Sequence, residues 1–321
     1  MTALTLRPPE RVNLNGTDTG DRDCLSHTRL GTFLACEERF RWKYVERLEP
    51  AVKKQSLRMG SAFAYAAECG QPQAGYNMIM EEQAALAIEY GGSPWNVFPT
   101  EQEAEIEATV VKAASTAYLA RFGSRARREV TYRQRIRNPR TGYPSRTFDV
   151  QARVDGIEDD TLIEDKLQSK VEATTEQRLS FDRQVTLGCY LHWRCTGEEI
   201  REVKFRITRK PGIKRKKDET HAGYLDRILQ DYKDRPEFYV FEFPLTRTAD
   251  DFLRLEVELW RWCEQIRDAV SENVFPRNVA SCAEWGGCDL LPLCSRQPGA
   301  EHQFRERAPQ VSIESNERKA A

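Results

Sequence analysis

Apolar residues recur along the chain with two periods, and each period predicts a different kind of element. Helices are predicted over 26–45, 60–68, 74–90, 100–122, 175–195 and 224–232. Strands are predicted over 129–137, 147–156, 161–167, 200–208 and 238–243. The order predicts an α/β fold with a mixed central sheet, flanking helices and a helical N-terminal region. Within 249–272 a spacing of three or four predicts a long amphipathic helix: Phe252, Leu255, Leu259, Trp262 and Ile266.

Two predicted strands carry charged side chains at a spacing that suits cation binding. Asp155 lies near the end of the first, a polar turn at 158–160 follows, and Glu164 and Lys166 share one face of the second. A hairpin would bring Asp155 beside them. Carboxylates suit Mg²⁺ or Mn²⁺, and an ammonium can orient water or stabilise negative charge. The alternative is a solvated hairpin with a surface ion pair.

The charge balance excludes binding of nucleic acid through overall charge. The 321 residues include 49 lysines and arginines against 50 aspartates and glutamates, so phosphates would have to be bound by local basic runs. One run begins before the predicted strand 129–137 and continues with alternating arginines along it: Arg125, Arg127, Arg128, Arg133, Arg135 and Arg137. The second basic run follows the strand 200–208 and is the predicted phosphate-binding loop: Lys210, Lys214, Arg215, Lys216 and Lys217. The alternative for this loop is a solvated run of charges.

Nine cysteines indicate a metal site rather than disulfides. The start of the chain has no apolar secretory segment and no stretch approaches the ~20 apolar residues of a membrane span, so we expect a reducing, cytoplasmic location. Cys282, Cys288 and Cys294 are clustered, and Cys36 lies far upstream. Buried free thiols are the alternative for this set. They are the expectation for the other five: Cys24, Cys69, Cys189, Cys195 and Cys263.

Together these features resemble the RecB-like, iron–sulfur-containing exonuclease branch of the PD-(D/E)XK nuclease superfamily. Gly60 and Glu68 match its first motif, Gly-x-x-x-His-x-x-x-Glu, but Ala64 stands at the histidine. Asp155, followed by Glu164 and Lys166, matches the Asp and (Asp/Glu)-x-Lys motifs. The resemblance implies a restriction-endonuclease-like core and a Mg²⁺ or Mn²⁺ site formed by Glu68, Asp155 and Glu164, with Lys166 assisting the attacking water.

The resemblance extends to the following helix and to the cysteines. Gln184 fits the family's glutamine, which supports the site or contacts DNA; the tyrosine usual four residues later is replaced by Gly188, and Tyr190 is the nearest candidate for a DNA contact. The resemblance also implies a [4Fe–4S] cluster that joins the two ends of the fold, with zinc as the alternative occupant. Its ligands would be Cys36, Cys282, Cys288 and Cys294.

The sequence therefore predicts a metal-dependent DNA nuclease that processes ends in recombination, repair or phage- or CRISPR-related pathways. A helicase or recombination protein is a candidate partner, because the chain has no Gly-x-x-x-x-Gly-Lys-(Ser/Thr) motif of its own. The alternatives are a catalytically impaired DNA-end-binding or assembly subunit, and a zinc-stabilised protein without a nucleic-acid role. The predicted organisation has a disordered segment 1–22, one domain 23–295 and a flexible tail 296–321. The domain includes a helical insertion 70–125 and the cysteine staple 282–294.

Overall fold

The computed structural model describes residues 22–124 and 129–309, apart from the side chain of Trp285. Nearly all of the predicted disordered segment 1–22 and the basic residues Arg125, Arg127 and Arg128 lie outside this part of the chain, as do residues 310–321.

The elements follow the predicted order closely. The strands are β1 (Asp23–Ser26), β2 (Leu48–Pro50), β3 (Val130–Arg137), β4 (Pro144–Val154), β5 (Gly156–Glu158), β6 (Thr161–Gln168), β7 (Glu202–Arg209), β8 (Val240–Leu245) and β9 (Phe304–Glu306). The main helices are α1 (His27–Ala35), α2 (Glu37–Phe40), α3 (Gln55–Cys69), α4 (Pro72–Tyr90), α5 (Glu101–Phe122), α6 (Thr175–Leu179), α7 (Arg183–Thr196), α8 (His221–Asp234), α9 (Pro236–Tyr239), α10 (Ala249–Glu272) and α11 (Leu291–Cys294).

Two mixed sheets are connected by the consecutive strands β4 and β5. The first has the order β1-β4-β3, with β1 parallel and β3 antiparallel to β4. The second has the order β5-β6-β7-β8, in which only β6 and β7 are parallel. Only Asp155 separates β4 from β5. It therefore lies where the chain passes from one sheet to the other.

Three apolar clusters fill the spaces between these sheets and the helices. One packs α1, α7 and α10 against β3 and β4, and another lies between α7 and the strands β6 and β7. The third joins α3, α4, α5 and α8, and Leu167 at the end of β6 packs against it. The helix that carries Glu68 is thereby fixed beside the C-terminal end of β6. The long helix α10 begins at its predicted residue because Thr248 and Asp251 form a capping box, and it ends at Glu272, before Asn273, which has a left-handed backbone.

Two predicted helices are interrupted. The first, predicted over 26–45, breaks at Cys36, whose backbone is extended, and continues as α2 and a π-helical turn, Arg41–Val45. The helix predicted over 175–195 divides into α6 and α7. Asp182 caps α7 by accepting the N–H of Val185 at 2.9 Å, which starts a new helix at Arg183.

The sequence predicted a flexible tail from residue 296, but regular structure continues to Glu306. The strand β9 pairs antiparallel with β2, and the N–H of Arg307 donates to the carbonyl oxygen of Arg47 at 2.7 Å. Polar composition suggested disorder here, but backbone pairing with a distant short strand orders the segment. Across the described residues, no helix combines the length and apolar character that crossing a bilayer requires.

Candidate active site

Asp155 is held at the junction of the two sheets by the strand beside it. Its Oδ2 accepts the backbone N–H of Asp165 at 2.8 Å. The turn between β5 and β6 contains Asp159 with φ 53°, a left-handed conformation that aspartate tolerates better than most side chains. This tight turn aligns β5 with β6 and sets Asp155 next to the strand that carries Glu164 and Lys166.

Glu164, Lys166 and Gln184 form a hydrogen-bonded cluster beside Asp155. The Lys166 ammonium pairs with Glu164 Oε1 and donates to Gln184 Oε1 at 3.1 Å. Gln184 Nε2 donates to the same Glu164 oxygen at 2.6 Å. Gln184 reaches the strand because the Asp182 cap places it in the first turn of α7. Sequence spacing alone could not fix this contact between a helix and a strand.

Burial and pairing act against each other in this cluster. The Glu164 side chain is only 1% exposed, and burial raises the pKa of its carboxyl to about 8, although Lys166 opposes this effect. Burial acts to lower the pKa of Lys166, but the carboxylates of Glu164 and Asp155 outweigh it and raise that pKa. Two donors, Lys166 and Gln184, point at Glu164 Oε1 and oppose the effect of burial on that carboxyl, and the raised pKa of Lys166 keeps its ammonium charged.

A cleft of about 740 Å³ brings the two strands and α3 together. Glu68, Asp155, Lys166 and Gln184 all line it, and Glu164 lies beneath through its bonds to Lys166 and Gln184. The helix α3 is held by a buried ion pair at its base: Arg58 donates to both oxygens of Glu107 at 2.8 and 2.9 Å. The cleft therefore joins four of the five residues that the sequence singled out, and the fifth borders it.

Comparison with known proteins identifies the family of this chain. A family model for the PD-(D/E)XK nuclease superfamily matches residues 24–295. The chain belongs to the PD-(D/E)XK nuclease superfamily. The predicted restriction-endonuclease-like fold, with mixed sheets flanked by helices, is thus confirmed. The chain is also similar to a crystal structure of a candidate exonuclease from Eubacterium rectale, with 10% identity, a TM-score of 0.49 and coverage of 89% of this chain and 93% of that one. No curated protein matches the sequence.

Gly188 explains why this nuclease-superfamily chain lacks the tyrosine usual after the glutamine. A Cβ atom at residue 188 would lie 2.9 Å from Val154 Cγ1 and 3.1 Å from Leu162 Cδ1. Ordinary carbon contacts are about 3.5–4.0 Å, so α7 approaches the strands more closely than a side chain would permit. This close approach is what lets Gln184 reach Glu164 and Lys166.

The structure does not bring Tyr190 to the cleft. The side chain is buried at 5% exposure against Phe252 and Trp193, and its hydroxyl donates to Glu256 at 2.6 Å. It faces α10 because the helical turn after Gln184 points it away from the strands. The expected DNA contact by Tyr190 therefore conflicts with its position in the core.

The predicted phosphate-binding loop leaves β7 at the end nearest the end of β6. Lys210 donates its backbone N–H to Gln168 at 2.7 Å and is partly buried, and burial lowers the pKa of its ammonium. The other four basic side chains are exposed: Lys214, Arg215, Lys216 and Lys217. Glu219 folds back on this loop by accepting the N–H of Lys216 at 2.9 Å. The loop thus offers four solvent-facing cations and one that is partly withdrawn.

The cysteine segment docks on the start of the fold. Asn278 donates its backbone N–H to Cys36 Sγ at 3.4 Å, and Ser281 Oγ donates to the Ala35 carbonyl at 2.8 Å. Burial raises the pKa of Cys294, and the charges of Cys36 and Cys282 add to this effect. Cys288 also has a raised pKa, from burial first and from Cys282 among other charges. The cysteine segment thus contacts residues 35 and 36, although the two parts of the chain are distant in sequence.

Neither predicted metal site is a preassembled coordination group. Among the described residues, no three histidine, cysteine, aspartate or glutamate side chains are arranged to hold an ion. The donor types nevertheless fit their expected metals: carboxylate oxygens suit Mg²⁺ or Mn²⁺, and four thiols suit an iron–sulfur cluster or zinc.

Sequence reasoning missed two residues at the cleft. His27 borders it at the start of α1, and nothing in the local sequence connects that position to residues 155–184. Asp165 lies between Glu164 and Lys166; its backbone holds Asp155, while its carboxylate accepts from the hydroxyl of buried Tyr118 at 3.0 Å. The alternation of the strand could have indicated that Asp165 faces the opposite side, toward α5.

Proposed function

We propose that this chain is a divalent-metal-dependent deoxyribonuclease that hydrolyses phosphodiester bonds at DNA ends. Membership of a nuclease superfamily supports the reaction class. The observation that supports the proposal is that Glu68, Asp155, Lys166 and Gln184 line one cleft, with Glu164 bonded to Gln184 beneath.

Glu68, Asp155 and Glu164 are the proposed ligands of Mg²⁺ or Mn²⁺. Such a cation supplies charge neutralisation at the phosphate and lowers the pKa of a water. Asp155 is oriented for this role by the N–H of Asp165. Glu164 is oriented by Gln184, whose amide donates to one of its oxygens.

Lys166 is the proposed residue that orients water and stabilises developing negative charge. Gln184 Oε1 accepts from its ammonium, and Glu164 pairs with it, so its long side chain has one preferred position at the edge of the cleft. Its side chain is 33% exposed. It is thus anchored on one side and accessible to substrate on the other.

End-labelled single- and double-stranded oligonucleotides, incubated with Mg²⁺ or Mn²⁺, test this reaction. Replacing Lys166 by methionine removes the ammonium, and kcat should fall about 10²–10³-fold. Lys170→Met is the matched control, because this lysine lies four residues later and is exposed; its cleavage rate should equal that of the parent protein. Chelation with EDTA should stop cleavage and added Mn²⁺ should restore it.

Full cleavage by the folded Lys166→Met variant would refute the assigned mechanism. Thermal unfolding of each variant separates this outcome from a loss of fold. The ladder of labelled products distinguishes stepwise removal of nucleotides from internal cuts.

A DNA-end-binding subunit without catalysis is the second candidate. The observation in its favour is Ala64, which stands in the cleft where the family resemblance implies a histidine. Tight binding of DNA ends, with no cleavage in either metal, would establish this function instead.

We further propose that Cys36, Cys282, Cys288 and Cys294 bind a [4Fe–4S] cluster, with zinc as the alternative. The contacts between the cysteine segment and Ala35–Cys36 support it. Protein purified without oxygen should contain iron and acid-labile sulfide, and Cys282→Ser should lose both. Cys69→Ser, at an exposed cysteine outside this segment, is the control and should keep them. Zinc without sulfide would replace the cluster by a zinc site.

A further inference from the structure

A histidine outside the metal-site motifs borders the cleft on the side formed by α1. His27 is the first residue of that helix, and Ser26, which precedes it, caps the helix by accepting the N–H of Arg29 at 3.3 Å. Ser26, His27 and Thr28 line the same cleft as Asp155 and Lys166. Among the described residues that line the cleft, His27 provides the one imidazole.

The surroundings of His27 suit an anion. Its Nδ1 is buried and has no hydrogen-bond partner in the described part of the chain, which is unfavourable and calls for an explanation. Burial lowers the pKa of the ring; Asp182 opposes this, and Arg183 and Lys166 lower the pKa further. Asp182 is the strongest of these three charges, and the other two, Arg183 and Lys166, are the cations that would attract a phosphate to this side of the cleft.

We infer that His27 contacts the substrate through Nε2, the ring nitrogen other than the buried Nδ1, donating a hydrogen bond to a phosphodiester oxygen of the DNA strand next to Lys166. This inference rests on the proposed nuclease function. A neutral imidazole offers one N–H donor and adds no charge beside Lys166. Ala64 has no polar side-chain atom, so α1 provides to the cleft an imidazole that α3 does not.

Binding and cleavage by the full-length chain test the role of His27. Fluorescence anisotropy with a labelled oligonucleotide and Ca²⁺ gives Kd, and Mn²⁺-dependent cleavage gives KM and kcat. Replacing His27 by alanine should raise Kd and KM about ten- to hundredfold, as expected for a lost hydrogen bond to a charged group. The metal concentration for half-maximal cleavage should not change. His27→Asn keeps an N–H donor and should recover part of the affinity.

His221→Ala is the matched control. Its Nδ1 is likewise buried without a partner among the described residues, but its Nε2 pairs with Glu105 at 2.7 Å and it does not line the cleft. Its Kd and KM should equal those of the parent protein, and thermal unfolding of all variants checks the fold.

Each outcome decides between the two proposals. If the parent protein cleaves DNA and both His27 variants keep its Kd and KM, the role of His27 is refuted and the nuclease function stands. If the parent binds but does not cleave, the nuclease function fails, and the Kd of His27→Ala still decides the contact. A raised metal requirement with an unchanged KM would make His27 a metal ligand, which overturns the phosphate contact. Absence of both binding and cleavage refutes both proposals.

Discussion

The close packing of α7 on the strands gives a sharp prediction for Gly188. Replacing it by alanine adds one methyl group, whose carbon would lie 2.9 Å from Val154 Cγ1 and 3.1 Å from Leu162 Cδ1. Both neighbours are core side chains with 1% and 0% exposure, so neither can move into solvent. The helix must therefore shift outward by several tenths of an ångström.

Two opposing effects set the size of the change in stability. Alanine in place of glycine inside a helix contributes about 1 kcal/mol of helix propensity. Forcing an extra carbon into a packed core costs about 1–3 kcal/mol. Gly31 in α1 offers a comparison, because a Cβ atom there would meet nothing within 4 Å. Gly31→Ala should therefore raise the free energy of unfolding by about 1 kcal/mol, and Gly188→Ala should lie about 1–3 kcal/mol below it.

The same shift should reach the cleft. Gln184 is one helical turn before Gly188, and its bonds of 2.6 Å to Glu164 and 3.1 Å to Lys166 would lengthen. We expect kcat to fall about tenfold in Gly188→Ala, since small displacements of catalytic groups reduce rates strongly. Urea unfolding and oligonucleotide cleavage measure the two effects. Equal stabilisation by both alanines, with unchanged cleavage, would show that α7 does not need this glycine.

Three other substitutions test the structure around the cleft. Tyr118→Phe removes the donor to Asp165 in the core and should lower the free energy of unfolding by about 1.5–3 kcal/mol in urea titrations, because its partner is charged; an unchanged value would contradict the bond. Arg58→Ala leaves Glu107 buried without its bidentate partner, and calorimetry should show a loss of about 3–5 kcal/mol, whereas a loss below 1 would indicate that water replaces the arginine. Thr248→Ala removes the cap of α10 and should cost about 1 kcal/mol while cleavage stays unchanged.

Local patterns were sufficient to predict most of the elements. The spacing of Leu255, Leu259 and Trp262 predicted α10 because one face of that helix is buried over its whole length. The break at Cys36 could not be predicted in this way. At the break the chain contacts Asn278 and Ser281, more than two hundred residues away, and helical periodicity carries no information about such partners.

In the candidate site, too, local patterns predicted some residues, whereas the positions of others depend on long-range packing. Asp155, Glu164 and Lys166 could be identified because a hairpin makes them neighbours through short-range geometry. Gln184 and Glu68 needed the family resemblance, since their approach to the strands depends on helix packing. Tyr190 was assigned wrongly because a helix position two residues beyond Gly188 points into the core. His27 was missed because its place in the cleft depends on the parallel pairing of β1 with β4.

The helix α1 links the two proposed sites physically. It has nine residues and is therefore about 13 Å long at 1.5 Å per residue. Its first residue, His27, borders the cleft, and its last residue, Ala35, accepts a hydrogen bond from the cysteine segment. Because the helix is a short rigid element, fixing one end restricts the other. If the cysteines bind a cluster as proposed, that cluster would also restrict the side of the cleft on which His27 lies.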